Sequence, residues 1–177
     1  MNRTKTYTLC LTALFTALIC VLAQVQIPLG PVPFTMAMFA FFLTGAMLPP
    51  VWALAAGVAY LLLGCAGLPV FAGFSGGVGI LLGPTGGYIL GYPLMAMIAA
   101  FGVFRRGFVW QVAGMVLGMA VCYAVGTAWF MVQSGSGLAQ SLTLCVIPFV
   151  LPDLVKAVLA TALARTLRRR APALFKI

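Results

Sequence analysis

The amino-acid sequence predicts an all-α membrane protein with six transmembrane helices, and three observations point there. The first is composition. Of 177 residues, 64% are hydrophobic and only 6% charged, where a soluble domain would carry about a quarter charged residues. The second is length. Apolar runs able to span about 30 Å of hydrocarbon at about 1.5 Å per residue follow one another through nearly the whole chain. That predicts one integral domain over 1–177, with no room for a second, soluble one. The third is where the cations fall. Arg3 and Lys5, Arg105 and Arg106, and the stretch from Arg165 through Arg170 to Lys176 each abut the end of an apolar run, as the positive-inside rule expects of cytoplasmic flanks.

The first span covers 8–25 and ends at the turn-rich Gln26-Ile27-Pro28-Leu29-Gly30-Pro31-Val32-Pro33. Its basic start resembles a signal peptide. However, the apolar segment from Thr8 to Val25 is longer than a usual h-region, and no small-x-small cleavage site follows, so a retained helix is predicted. The second span, 34–48, stops at Pro49-Pro50, and the third, 51–67, ends near Gly67 and Pro69. A glycine-rich connection follows through Phe71, Gly73, Phe74, Ser75, Gly76, Gly77 and Gly79. The fourth span starts around Pro84, a residue suited to a first helical turn, and ends at Phe104. The fifth covers 108–132, before the polar Gln133-Ser134-Gly135-Ser136-Gly137, and the sixth covers 141–164 and runs into the basic tail.

Six spans place both termini on one side, predicted to be cytoplasmic. Every Lys and Arg except Lys156 then lies on that side, while the uncharged loops at 26–33, 68–83 and 133–140 face outward. The net charge of +9 therefore reflects membrane flanks and anionic-lipid contact, not affinity for nucleic acid. Non-helical backbone near membrane depth is tolerated only where it is buried or lines a cavity. The 68–83 segment is too apolar for a solvated loop, so it is expected to form a lid or the rim of an outward-facing pocket. A packed connector is the plainer alternative.

Chemistry-bearing residues are few. Histidine is absent, which removes the commonest acid–base catalyst and metal ligand. Cys10, Cys20, Cys65, Cys122 and Cys145 show no metal-ligand or C-x-x-C spacing and read as small hydrophobes in helix packing. A hydrolytic or metal-dependent enzyme is not expected, nor is a cofactor.

The exception is Pro152-Asp153-Leu154-Val155-Lys156. Asp153 is the only acidic residue in the sequence, and Lys156 the only cation inside an apolar run. Positions i and i+3 share a helix face. An ionisable residue at membrane depth costs about 2.5–3.5 kcal/mol on insertion scales, so these two must satisfy each other, a ligand, or both. Pro148 and Pro152 are expected to interrupt the helix just before Asp153, with a kink and a free carbonyl at Pro148. Asp153 lies twelve residues before Arg165, about 18 Å along a helix, near or just outside the midplane and within reach of an outward cavity. A buried pair that only pins the last span to the bundle is the alternative. Such pairs contribute little net stability.

Two further motifs stand out. In Gly83-Pro84-Thr85-Gly86-Gly87-Tyr88-Ile89-Leu90-Gly91-Tyr92, a helix start beside glycines leaves backbone N–H groups free to meet an anion or carbonyl. Thr85 adds a hydroxyl and Tyr88 an aromatic face with a polar tip. Alternatively, Gly86, Gly87 and Gly91 simply permit tight packing. The G-K-[ST] ending of a Walker A loop is missing, so no nucleotide-hydrolysis apparatus is read here. In the first span, Ala13 and Ala17 place two small side chains on one face, which lets another helix approach closely in lipid, from within the chain or from a partner subunit.

Taken together, Gly83-Pro84-Thr85-Gly86-Gly87-Tyr88 with Gly91-Tyr92, the preceding 73–79 segment, Pro152-Asp153-x-x-Lys156 and the Ala13/Ala17 pair resemble the BioY family over essentially the full length. The resemblance implies a six-helix substrate-binding (S) component of an energy-coupling factor (ECF) vitamin transporter in a bacterial or archaeal cytoplasmic membrane, with biotin as its ligand. It implies that Ala13 and Ala17 contact a transmembrane coupling subunit driven by two ABC ATPases. It also implies biotin contacts at Asp153, Lys156, Thr85, Gly86 and Tyr88, and at Ser75 and Phe74 of the strand-like loop. The chemistry agrees. A buried Asp can accept from the ureido N–H groups, a Lys can meet a carbonyl or carboxylate oxygen, and Phe71, Phe74 and Tyr88 can enclose the apolar body. Two other functions stay open: a self-sufficient, proton-linked secondary transporter using the Asp153/Lys156 pair, and a non-transporting assembly subunit whose pair only fixes packing.

Overall fold

The structure, a computed structural model, describes residues 3–28, 32–103 and 107–171. Arg105, Arg106 and Lys176, which enter the predicted topology, lie outside the described residues. The elements run α1 (Arg3–Leu22), β1 (Gln26–Ile27), β2 (Phe34–Thr35), α2 (Ala37–Met47), α3 (Pro50–Cys65), α4 (Val78–Leu81), α5 (Gly86–Val103), α6 (Phe108–Ser134), α7 (Leu138–Cys145) and α8 (Ile147–Arg170). Each predicted apolar run contains one of α1, α2, α3, α5, α6 and α8. Three stretches, Lys5–Leu22, Phe108–Ser134 and Ile147–Arg170, are long and apolar enough to cross a membrane by length and composition, while α2, α3 and α5 are shorter apolar helices.

Two boundaries differ from the sequence-based expectation. The last run is not one helix from 141 to 164. It divides at Val146 into α7 and α8, and α8 continues to Arg170. A helix extended from α7 would drive the Pro148 ring into the carbonyl of Leu144. Broken at Val146, the chain instead places Pro148 in the first turn of α8, where its missing N–H has no helical acceptor to lose. Pro148 therefore marks an interruption of the last run at Val146, whereas Pro152 does not end the helix, because α8 runs on through it. Likewise α5 begins at Gly86, and Pro84 belongs to the preceding turn. There the Gly86 N–H donates to the Gly83 carbonyl and the Tyr88 N–H to the Thr85 carbonyl.

The short α2 is the hub. It packs on α1, α3, α5 and α8 and is buried at every position except Phe39, which is why it is apolar on all faces. Arg168 donates from Nη2 to the Ala46 carbonyl at 2.8 Å, satisfying one of the orphan carbonyls at the end of α2. The most extensive contact is α5 on α6, along a seam of small residues. A Cβ on Gly87 would strike Trp129, one on Gly91 would come within 3.1 Å of the Cys122 sulfur, and one on Gly118 within 2.7 Å of the Met95 carbonyl.

The connectors at one end of the bundle are structured. β1 and β2 pair antiparallel, with Gln26 opposite Thr35. A second tight turn is closed by Phe71 N–H to Ser75 O and Ser75 N–H to Phe71 O, at 2.9 and 3.3 Å. Gln24 ties this turn to α1, and Gln133 ties the Leu82 carbonyl to the end of α6. The three segments expected to share a face are thus joined to neighbouring elements by hydrogen bonds.

Candidate functional site

Beneath these connectors lies a chamber of about 160 Å³, walled by Ala23 at the end of α1, the β2 approach (Val32, Pro33, Thr35), Tyr60 of α3, the 71–75 turn, and Thr85, Tyr88, Ile89 and Tyr92 around the start of α5. Val32, Pro33, Thr35, Tyr88 and Tyr92 also line a narrower recess of about 30 Å³ that reaches Tyr123, Phe149, Asp153 and Lys156. The ionic residues therefore floor the recess below the main chamber.

Asp153 and Lys156 lie in the N-terminal half of α8 and are 3% and 5% exposed. Lys156 Nζ donates to Asp153 Oδ1 at 2.8 Å and to the Thr35 carbonyl at 2.7 Å. It also sits 3.6 Å from the centroid of the Phe34 ring, a cation–π arrangement. Asp153 Oδ2 accepts from the Tyr123 hydroxyl at 2.6 Å. Three elements thus converge: α8 supplies both charges, α6 a phenol, and β2 a backbone oxygen. An ammonium has three donors and a carboxylate about four acceptor positions. The resident bonds occupy two of each, so capacity remains on both sides for a ligand.

The chamber wall is set by backbone proximity. Tyr88 lies against Gly126, where any Cβ would overlap its ring, and its hydroxyl pairs with the Thr127 hydroxyl at 3.1 Å. Phe71 is fully buried, lies against Gly64, and meets Tyr60 edge-on at 5.4 Å. The turn that carries Thr85 is tied to α6 by Trp129, whose Nε1 donates to the Gly83 carbonyl at 3.0 Å.

The sequence-predicted residues separate into three sets. Asp153, Lys156, Thr85, Tyr88 and Ser75 are brought together around the chamber and its recess, although the Ser75 hydroxyl already donates to the Ala72 carbonyl at 2.9 Å. Gly86 and Phe74 are not on that wall. Gly86 packs against the Leu81 carbonyl, with no room for a Cβ, so the packing account of the glycines describes it. Phe74 is 72% exposed and holds a positive φ of 55°. Ala13 and Ala17 are exposed on α1, whereas Thr12, Phe15, Thr16 and Ile19 turn into the bundle.

Four groups at the site went unpredicted. Tyr123 had a readable signal, since a phenol deep in an apolar run needs a partner for its hydroxyl. Tyr60 and Tyr92 carry the same cue. The Thr35 carbonyl had none, because a backbone acceptor is not encoded by residue type.

The BioY family model matches residues 1–173. A protein of Pyrococcus horikoshii named "Probable biotin transporter BioY" is 40% identical over 158 residues, covering 89% of this chain and 94% of that protein. The "Biotin transporter BioY" of Thermotoga maritima is 40% identical over 159 residues, covering 88% and 92%. Among solved structures, the S-component for biotin from an ECF-type ABC transporter superposes with a TM-score of 0.88 at 30% identity, covering 96% of this chain and 94% of that one.

Proposed function

The chain belongs to the BioY family, and from that premise we propose that it captures biotin for uptake as the S component of an ECF-type transporter. The observation that carries the site assignment is the Asp153–Lys156–Tyr123 cluster closing the recess below an otherwise apolar and aromatic chamber. A pair kept only for packing has no need to face a cavity. The ureido ring, with two N–H donors and one carbonyl, suits the remaining acceptor positions of Asp153 and the remaining donor of Lys156. Thr85 offers a hydroxyl to the carboxylate tail, as Ser75 does once its hydroxyl turns from the Ala72 carbonyl, and Phe71, Tyr60 and Tyr88 enclose the thioether ring.

On this reading the chamber opens to the outside. The six apolar helices α1, α2, α3, α5, α6 and α8 cross the cytoplasmic membrane of a prokaryote with both termini inside, and the hairpin, the 71–75 turn and α7 lie at the outer face. The shorter α2, α3 and α5 complete their crossings with the structured connectors at their ends. The exposed stripe of Ala13 and Ala17 suits close approach by a transmembrane coupling subunit carrying two ABC ATPases. The chain is thus a transporter subunit and not an enzyme.

Calorimetry of the purified chain in detergent, without ATP, tests the proposal. It predicts tight biotin binding, weaker binding of desthiobiotin and lipoate, and loss of binding in Asp153→Asn. Absence of biotin binding by the unaltered chain would overturn it.

A further inference from the structure

The 69–75 segment that roofs the chamber is held to α1 by one side chain. Gln24, just past the last turn of α1, points its amide in two directions. Oε1 accepts from the Phe74 N–H at 2.8 Å, while Nε2 donates to the Val70 carbonyl at 3.0 Å and to the Cys20 carbonyl at 3.2 Å, with the Pro69 carbonyl at 3.4 Å. An amide is the side chain this pattern requires, because it must accept from one arm of the turn and donate to the other. A carboxylate would face carbonyls with no proton to offer, and an aliphatic chain would leave both arms unheld.

Position gives the contact its meaning. Ala23, the neighbouring residue, lines the chamber from α1, and Phe71, Ala72 and Ser75 line it from the turn. Gln24 bridges these two walls. The inner side of the turn is fixed by the buried Phe71 against Gly64 and by its own Phe71–Ser75 bridge, and Gln24 holds the tip at Phe74. Gly73 and Gly77 hold positive φ values of 73° and 94°, and the exposed Phe74 adopts the left-handed region that a bulky residue disfavours. The N–H of this residue is the one from which Gln24 accepts at 2.8 Å. Gln24 also stands eleven residues after Ala13, about three helical turns, and lies half-buried in the turn that follows the helix carrying the exposed Ala13 and Ala17.

We infer that Gln24 is the latch of the chamber: a positioning residue that holds the 69–75 turn closed over the ligand and sets how fast ligand enters and leaves. The inference rests on the reading of the chamber as a biotin site. Its mechanical part, that Gln24 holds the turn, stands apart from that reading. Because Gln24 is anchored on α1, a subunit seated on the Ala13/Ala17 stripe would reach the lid through this residue.

The test compares Gln24→Met, which keeps length and volume but loses every hydrogen bond, with Gln24→Glu, which keeps only the bond from Phe74. Radiolabelled biotin exchange on the purified chain is expected to accelerate in both. The dissociation rate should rise about tenfold in Gln24→Met, as loss of its hydrogen bonds to the turn implies, and association should become faster or stay unchanged. A merely structural lesion would instead slow association and lower the melting temperature. Dissociation unchanged within twofold in both folded variants would overturn the inference, as would faster dissociation accompanied by slower association. A ligand-free arm separates this from failure of the biotin reading. In the unliganded protein, hydrogen exchange at the Phe74 amide should be faster in Gln24→Met than in the unaltered chain. Unchanged exchange there would sink the latch even if biotin binds, and faster exchange without biotin binding would sink only the biotin reading.

Discussion

The floor and the roof of the chamber are built from different materials. At the floor, two charges and a phenol from α8 and α6 meet within 2.6–2.8 Å, and a β2 carbonyl completes the set at 2.7 Å. Every member is deep in the bundle, where desolvation makes the loss of any one partner expensive. At the roof, the bonds run largely between backbone groups and one amide, and the tip at Phe74 is exposed. The lesson is a division of labour. A floor braced by its own bonds, with acceptor and donor positions left over, can discriminate a ligand by its donors and acceptors, while a roof held through a turn can open and close without disturbing that discrimination. Lesions at the floor should therefore change affinity, and lesions at the roof should change mainly rates.

The sharpest way to break this comparison is Asp153→Asn. It leaves the Lys156 ammonium buried without a counter-charge, and removing one partner of a buried pair costs about 3–5 kcal/mol. Biotin affinity by calorimetry should fall at least about a hundredfold, because two ureido hydrogen bonds to a charged acceptor are weakened or lost, about 1.5–3 kcal/mol each, at about 1.4 kcal/mol per tenfold. A roof variant producing an equal loss would erase the distinction. Next, Tyr123→Phe removes one hydrogen bond to a charged acceptor, about 1.5–3 kcal/mol, and should weaken equilibrium binding about ten- to a hundredfold without abolishing it. Gly64→Ala probes the join between the two regions, because its methyl displaces the Phe71 ring from the wall. Overpacking of this kind costs about 1–3 kcal/mol, and a fall in melting temperature together with about tenfold weaker binding is expected. The smallest effect belongs to Phe74→Ala. With 72% of the residue exposed and outside the wall, equilibrium affinity should stay within about twofold.

The same division governs what was legible in the sequence. Asp153 and Lys156 could be found by counting, because a charge inside an apolar run is conspicuous whatever the fold. Thr85 and Tyr88 were marked by the unusual Gly-Pro-Thr-Gly-Gly-Tyr string. The same string also marked Gly86, which lies off the chamber wall and against the Leu81 carbonyl, since glycine serves ligand approach and helix packing alike. Phe74 read as an enclosing aromatic by composition, but the positive φ that carries it to the surface depends on the turn and not on residue type. Gln24 was invisible for a related reason. Its partners are backbone groups 46 and 50 positions away, and polarity at a helix end is ordinary. The break at Val146 was foreshadowed by Pro148. Where a proline ends one helix and starts the next is decided by the clash with the preceding carbonyl, which run length alone does not locate.

The double variant Asp153→Leu/Lys156→Leu tests most directly whether the ionic floor exists for the ligand. Replacing a buried pair with apolar residues of similar volume is often neutral or stabilising. The melting temperature in detergent should therefore match or exceed that of the unaltered chain, while biotin binding by calorimetry disappears. A folded double variant that still binds biotin with undiminished affinity would show that the pair serves packing alone and would contradict the account.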